Sequence, residues 1–438
     1  MPKVVLINLN SPWANQPAMN PNLGLCYLSA HLKDAGLDNL IGIDLALPDK
    51  TLSDIPLNAD YYAISCMTPQ YHELITVCTY LRHSKGQVMI GGPHITAIPE
   101  DIPYIEDIGI RGDGEKALVE YIRDGKHPGN GIHRCDKRHD LIPDRNVFGP
   151  LSQYHRKLNG EPAAHIVTLR GCPYRCSYCD TTSTPKKVMY RDLDKVFGEI
   201  SFIRTNYDIH SFIIYDDIFT LNRARITDFC LRAVVAGIKF RIWARADKLD
   251  REILTNLKWA GMTQVTIGIE SGSNKILKNI NKQCSAEENY SALMLCKDLN
   301  IPVRCSLMFG NPGEDVGTIQ ETIELVQNTQ PDEWNLAVLQ PIPGSDVWNN
   351  PEKHNLKFDK KLLKEREYVQ LNRFAGTGIG EIWYDYANGD KKAMKVLLKY
   401  FVKELERVCP RKQIQDTIQN INLKGEHHES VSNIAYND

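Results

Sequence analysis

The chain has 438 residues, 42% hydrophobic and 24% charged, with a formal net charge of −2. That length allows two or three domains. The near-neutral balance leaves no electrostatic footprint for nucleic acid or an anionic membrane surface, and no apolar run approaches the roughly 18 residues a membrane span needs.

Met1-Pro2-Lys3 leads directly into a strand-like run, Val4 to Leu9, without a cleavage site, so the sequence predicts no signal peptide. Twelve cysteines scattered through the chain do not form a disulfide framework and fit a reducing cytoplasm. After the turn formers Asn10 to Trp13, the segment Pro21 to Leu32 carries apolar residues at helical spacing and stops at Gly36. Strands follow at Asn39 to Ile43 and Tyr61 to Ser65, then a helix over about residues 73–84, a strand into Gly91-Gly92-Pro93-His94, and Ile108-Gly109-Ile110 before Gly112-Asp113-Gly114-Glu115. Strand–helix alternation of this kind predicts a doubly wound, Rossmann-like parallel sheet, with glycine-rich loops at strand carboxyl ends where such sheets bind ligands. Residues 126–162, rich in Gly, Pro, His and charge, read as a connector, and Cys135 within it has no partner motif.

The strongest signal follows the strand-like run His165 to Leu169. Cys172, Cys176 and Cys179 stand in a C-x3-C-x2-C spacing, with Gly171 and Pro173 ending the strand. A loop of this length turns three thiolates toward one point, and soft sulfur ligands suit an iron–sulfur cluster or zinc. Zinc wants a fourth ligand, and no second C-x2-C or His pair follows nearby. Three ligands with an open fourth position suit a four-iron cluster.

Alternation then restarts. Apolar strands ending near Asp217, Arg245, Ser271, Gly310 and Gln340 are separated by helix-patterned stretches. Counting the strand before the cysteines gives six β/α units, too few for a full eight-stranded barrel. Beyond about residue 345 the pattern is helical, with Leu363, Leu371, Leu397, Leu398, Phe401 and Leu405 as predicted buried positions. The polar tail from about residue 420 reads as disordered. The predicted units are therefore 1–125, 126–162, 163–345 and 346–438.

The cysteine loop, with aromatic Tyr178 before its last cysteine, resembles the radical S-adenosylmethionine (SAM) superfamily. The Pro-x-Leu-Gly-Leu helix start, Ser65-x-x-Thr68, Gly-Gly-Pro-His and Gly-x-Gly-Glu resemble the cobalamin-binding domain fused in front of many of its members. The resemblance implies a partial (β/α)6 barrel behind the Rossmann-like domain and a small helical C-terminal region. It implies that Cys172, Cys176 and Cys179 hold a 4Fe–4S cluster whose open iron is chelated by SAM. Tyr178, Asp216, Asp217, Arg245, Glu270, Ser271 and Gly310 would contact SAM, with Asp216 and Asp217 on its ammonium and Arg245 on its carboxylate. Ser65, Thr68, Gly91, Gly92, Gly112 and Glu115 would line a cobalamin site. No Asp-x-His-x-x-Gly occurs, so the usual histidine below cobalt is missing, and His94 lies in a loop of suitable type. The implied activity is hydrogen abstraction from a substrate carbon by a 5′-deoxyadenosyl radical, followed by methyl transfer. Oxidation or cyclisation, or a non-catalytic SAM and cobalamin binder, are the alternatives. The expected partners are a small-molecule or peptide substrate and an electron donor such as flavodoxin or ferredoxin.

Overall fold

The computed structural model describes residues 1–11, 17–134, 140–180, 182–368, 382–386 and 391–410. Cys135, Leu371 and the tail from 420 lie outside the described residues. The N-terminal half builds a five-stranded sheet in the order β2-β1-β3-β4-β5. Its strands are β1 (Val4–Asn8), β2 (Leu40–Asp44), β3 (Tyr61–Ser65), β4 (Gln87–Gly91) and β5 (Ile108–Gly109), every pair parallel. Both faces are covered, so β1 is buried at every position, as a parallel sheet requires. Helix α1 (Leu23–Asp34) starts where Asn22 caps the Leu25 N–H, and it buries Leu25, Cys26, Tyr27, Ala30 and Leu32. Helices α2 (Tyr71–Leu81), α3 (Pro93–Ala97) and α4 (Glu115–Asp124) complete the layers. The crossover from β1 to β3 makes a switch point, and the Ser65 and Gly91 loops open at the carboxyl end beside it. A ribbon of β6 (Arg111–Gly112) and β7 (Ile132–His133) holds Gly112 in place.

The second sheet has seven strands in the order β16-β15-β14-β13-β12-β9-β8. An antiparallel edge hairpin of β8 (Lys157–Leu158) and β9 (Glu161–Ile166) precedes the pair β10 (Leu169–Arg170) and β11 (Met189–Tyr190). Five strands then join β9 in parallel: β12 (Ser211–Ile214), β13 (Lys239–Ala244), β14 (Met262–Glu270), β15 (Val303–Phe309) and β16 (Glu333–Val338). They alternate with α5 (Leu193–Tyr207), α6 (Arg223–Ala236), α7 (Arg251–Trp259), α8 (Asn274–Asn279), α9 (Ala286–Asp298) and α10 (Val316–Thr329). Six parallel strands curl into a half-barrel. Phe212, Ile214, Phe240, Ile242, Val265 and Ile267 form one core with the surrounding helices, leaving the intervening residues on the concave side.

The C-terminal region contains more than helices. After α11 (Asp346–Asn349), strand β17 (Leu356–Lys357) pairs antiparallel with β18 (Asp385–Tyr386), around α12 (Lys360–Glu365). Trp348, Leu363 and Tyr368 pack into the core of the N-terminal sheet. The last helix, α12's successor α13 (Lys391–Val408), buries Phe401 and Leu405, while Leu397 and Leu398 are partly buried against the barrel core. The region therefore ties the two sheets together. No helix among the described residues is long and apolar enough to cross a membrane.

Candidate active site: a thiol loop facing a glycine-rich cleft

The cysteine loop leaves β10 through Gly171, whose φ is 100°. A Cβ there would stand 2.7 Å from the Pro185 carbonyl oxygen and 2.9 Å from that of Lys187, so only glycine makes this turn. Backbone bonds pin the loop on both sides: Cys172 N–H donates to Pro185, Ser177 N–H to Ile280, and Val347 N–H to Ser177. All three thiols are free, with Cys176 buried, Cys172 half-buried and Cys179 exposed. Although Cys179 as a residue is exposed, the protein packed around it desolvates its thiol and pushes it up to about 12, and the neighbouring thiols of Cys176 and Cys172 add to the rise. The three sulfurs thus feel one another's charge, and a polynuclear cationic centre would relieve that repulsion. Among the described residues, no three side chains of ligating type converge on a single metal ion.

Leu169 and Arg170, which lead into this loop, line a cavity of about 350 Å3. Ser65, Gly91, Gly92, Gly112 and Glu115 line it from the N-terminal sheet, and Arg170, Tyr215 and Asp217 from the half-barrel. Gly92 has φ 97°, and a Cβ on it would meet the Cys66 carbonyl oxygen at 2.7 Å. Gly112, at φ 82°, would meet His133 O at 2.2 Å. Bare backbone therefore forms part of the wall, with Leu23, Leu25, Leu28 and Leu118 beside it. Arg170 spans the cleft. It pairs with Glu115 at 2.7 Å and lies 4.7 Å from the Tyr27 ring centroid.

Residues 166–326 match the family model described as the radical SAM superfamily, and residues 14–122 match that of the B12 binding domain. The chain thus carries a match to a radical SAM domain behind a match to a B12-binding one. It is 27% identical over 386 residues to an uncharacterized methyltransferase of Pyrococcus horikoshii, covering 80% of this chain and 82% of that protein. It is 24% identical over 366 residues to the anaerobic magnesium-protoporphyrin IX monomethyl ester cyclase of Rubrivivax gelatinosus, covering 75% of this chain and 66% of the cyclase. Among solved structures, the radical SAM methyltransferase TsrM of Kitasatospora setae, with cobalamin and a 4Fe–4S cluster bound, has a TM-score of 0.71 at 15% identity, over 98% of this chain and 93% of TsrM. The cobalamin-dependent radical SAM enzyme OxsB has a TM-score of 0.63 at 20% identity, over 92% of this chain and 62% of OxsB. At such identities the structural likeness establishes the fold alone.

The cofactors of the two matched domains are a 4Fe–4S cluster, SAM and cobalamin. The residues of this chain fit them: free thiols on one pinned loop suit the cluster, and the mixed apolar, polar and bare-backbone cleft suits a large organic cofactor. The residues expected to contact SAM divide. Asp217 lines the cleft and accepts from Gly171 N–H at 2.7 Å, directly beneath the cysteine loop. Tyr178 donates to Glu270 at 3.0 Å, and Lys282 donates to the same oxygen at 2.9 Å. Glu270 holds φ 61°, where the pairing of β14 with β15 shifts register. A non-glycine residue in that region is strained, and such strain concentrates at functional sites. Gly310 sits at the end of β15 at φ 87°, its N–H donating to Glu314 at 2.6 Å.

Three of the residues expected to contact SAM are engaged within the protein. Asp216 is turned inward and 5% exposed, accepting from Thr168 N–H, Thr168 Oγ1 and Leu169 N–H. It ties β12 to the turn after β9, with both carboxylate oxygens occupied by those donors. Ser271 is 1% exposed and hydrogen-bonds Thr322 Oγ1 and Ser273 N–H, so it braces a turn. Arg245 is engaged by Asp247 at 2.8 Å and by the Lys282 and Gln283 carbonyls. Its guanidinium lies 3.7 Å from the Tyr174 ring centroid and 3.9 Å from Cys176 Sγ. It sits beside the thiols rather than reaching a free carboxylate.

In the cleft, Thr68 departs from expectation. Its hydroxyl meets His94 Nδ1 at 3.2 Å and is absent from the cavity wall. His94 is fully buried, 3.4 Å from Asp101 and packed between Tyr71 and Tyr368. It is a strut of the N-terminal core and not a ligand aimed at the cleft. Sequence reasoning passed over Lys282, which is 4% exposed and pairs with Glu270. Nothing in its polar neighbourhood distinguishes it, because its partner lies twelve residues back, at the end of β14. Sequence reasoning also passed over Arg191, which with Arg145 clasps the fully buried Glu199 at 2.7 and 2.5 Å.

Proposed function

We propose that this chain is a cobalamin-dependent radical SAM enzyme that removes a hydrogen atom from a substrate carbon and delivers a methyl group there. The observation that supports the reading is one cleft walled by the glycine-rich ends of the N-terminal sheet on one side and, on the other, by Leu169, Arg170 and Asp217 at the base of the pinned three-thiol loop. The cluster would supply one electron to cleave SAM to methionine and a 5′-deoxyadenosyl radical, and cobalamin would supply the methyl-transfer chemistry. The protein's part is positioning. Gly171 and its backbone bonds fix the loop, and Arg245 places a positive charge against Cys176. Glu270, held by Tyr178 and Lys282, presents a carboxylate at the mouth, and Asp217 presents another. A carboxylate here accepts an ammonium or ribose hydroxyl by a charge-assisted bond. Arg170, bridging to Glu115, sets the sheet and the half-barrel at a fixed distance.

We read residues 1–125 as the cobalamin unit, 126–162 as the connector, 163–345 as the radical SAM unit and 346–438 as the C-terminal unit. The protein would work in the cytoplasm with a flavodoxin- or ferredoxin-type donor. The similarity to the Rubrivivax gelatinosus cyclase favours a second reading, oxidative cyclisation without methyl transfer.

Anaerobic incubation with SAM and reductant tests the first step. 5′-Deoxyadenosine forms with the native chain, and Cys176→Ala lowers it at least a hundredfold. Unchanged formation in that variant sinks the cluster assignment. Methyl-deuterated SAM separates the two readings, since only methyl transfer carries deuterium into a product.

A further inference from the structure

A second cavity, of about 660 Å3, lies along β9. Met19 and Pro21 before α1, Leu151 and Arg156 in the connector, His165 on β9 and Ile209 beyond α5 all line it. Its size is that of a small-molecule site. Among the described residues, none lines both this cavity and the glycine-rich cleft. Tyr215 of the cleft has the Arg156 guanidinium 5.4 Å from its ring centroid and the His165 ring edge-on at 5.7 Å. That one ring thus stands against the walls of both spaces.

The charges around this cavity do not balance. Arg145 lines it and pairs with Glu199 at 2.5 Å; Arg191 pairs with the same carboxylate and with Asp140, both at 2.7 Å. Two guanidiniums and two carboxylates close that set. Arg156 stays open: among the described residues no carboxylate pairs with it, and its one hydrogen bond runs from Nη1 to Met19 Sδ at 3.8 Å, a weak acceptor. Burial and the positive charges of Arg241 and Arg304 pull its guanidinium down to about 10, as a cation without a counter-charge should be. The only carboxylate among the described lining residues is Asp208, which is almost fully exposed and paired with His210. Arg156 Nε, Arg145 Nη1 and His165 Nδ1 are buried without a hydrogen-bond partner, where such groups are normally satisfied. His165 sits between the two arginines. Its carbonyl accepts from Arg145 Nη2 at 2.6 Å, and burial with both positive charges holds its imidazole well below the usual range, so the ring is neutral. One unanswered positive charge matches a carboxylate, which carries a single negative charge and takes guanidinium donors by charge-assisted bonds. A phosphate monoester brings about 1.5–2 negative charges at pH 7, more than Arg156 answers.

We propose that this cavity is a binding site for a small monocarboxylate, with its carboxylate on Arg156 beside His165 and its apolar chain against Met19, Pro21, Leu151 and Ile209. The site goes beyond the radical SAM reading and does not depend on it. It places a carboxylate-bearing molecule one aromatic ring away from the cofactor cleft.

The test is a ligand-observed NMR titration of the full chain with hexanoate, hexanamide, acetate and hexyl phosphate. Hexanoate should bind tenfold or more tighter than hexanamide, which keeps the chain and loses the charge. It should also bind tighter than acetate, which keeps the charge and loses the chain. Hexyl phosphate should bind more weakly than hexanoate; the opposite order overturns the carboxylate assignment. Arg156→Gln should bring hexanoate down to the level of hexanamide, and Arg156→Lys should keep part of the difference. The lysine variant guards against a folding defect, since it retains the charge and most of the stem. No binding of hexanoate, equal binding of hexanoate and hexanamide, or an affinity unchanged in Arg156→Gln overturns the proposal. Loading the chain with cobalamin should leave the hexanoate affinity unchanged, and competition between the two would overturn the placement outside the cofactor cleft. 5′-Deoxyadenosine formation is scored separately on the same preparation. Its absence with the hexanoate preference intact defeats the radical reading and leaves the carboxylate site standing, while the reverse pattern does the opposite.

Discussion

Asp216 and Asp217 are neighbours with opposite fates. Asp217 stays at the cleft under the cysteine loop, whereas Asp216 closes a turn inside the wall. Burial lifts the Asp216 carboxyl to about 6, against opposing hydrogen bonds from Thr168 and Leu169. In the unfolded chain it titrates near 3.9. The folded state therefore binds the proton more tightly, and this contribution to stability is complete below about pH 4 and is lost as pH rises to about 6. The gap corresponds to about 2–3 kcal/mol. Asp216→Asn should remove that part of the pH dependence, so the stability difference between wild type and variant should change by roughly this amount between pH 4 and 6. Urea unfolding at several pH values measures it; parallel curves for the two proteins would refute the assignment.

At the scale of elements, the glycine after β4 decides how closely the cleft wall approaches a ligand. Gly92→Ala puts a methyl 2.7 Å from the Cys66 carbonyl oxygen at a φ of 97°. The strain should cost about 1–3 kcal/mol, seen as a lower unfolding midpoint, and corrinoid affinity should fall with it. An unchanged midpoint would mean the loop relaxes freely. The elements were largely legible in the sequence. The β1–β5 run, the cysteine loop and the six parallel half-barrel strands announce themselves by apolar runs, glycine stops and spacing. Position at a strand end was legible too; orientation there was not. A strand-end residue points inward or outward according to where the turn begins, and that depends on distant partners: Thr168 for Asp216, Thr322 for Ser271, the Lys282 and Gln283 carbonyls for Arg245. The β17–β18 ribbon escaped notice because its two-residue strands are set 28 positions apart, Leu356 opposite Tyr386 and Lys357 opposite Asp385.

Across the whole molecule, two buried devices hold the halves in register. Tyr368 and Lys364 reach Asp101, in the turn between α3 and β5 of the N-terminal half. Glu199 on α5 binds Arg145 from the connector and Arg191 beside β11, while Arg145 also donates to the His165 carbonyl of β9. This network links the connector to the strand that leads into the cysteine loop. Glu199→Gln keeps the shape and strips the charge, leaving two buried guanidiniums facing one neutral amide. The loss should be about 3–5 kcal/mol, read as a fall in the denaturant midpoint; a midpoint equal to wild type would show that water or other groups screen the pair. The same architecture leaves the glycine-rich cleft between the two sheets.

The central claim is that one chain carries both an iron–sulfur cluster and a corrinoid. The most direct measurement is iron content and absorption after anaerobic reconstitution with iron, sulfide and cobalamin. The account predicts about four irons per chain, a broad iron–sulfur absorption bleached by dithionite, and a corrinoid band that stays with the protein through gel filtration. Iron incorporation that is unaffected by replacing Cys172, Cys176 and Cys179 together, or a corrinoid band that elutes apart from the chain, would contradict it.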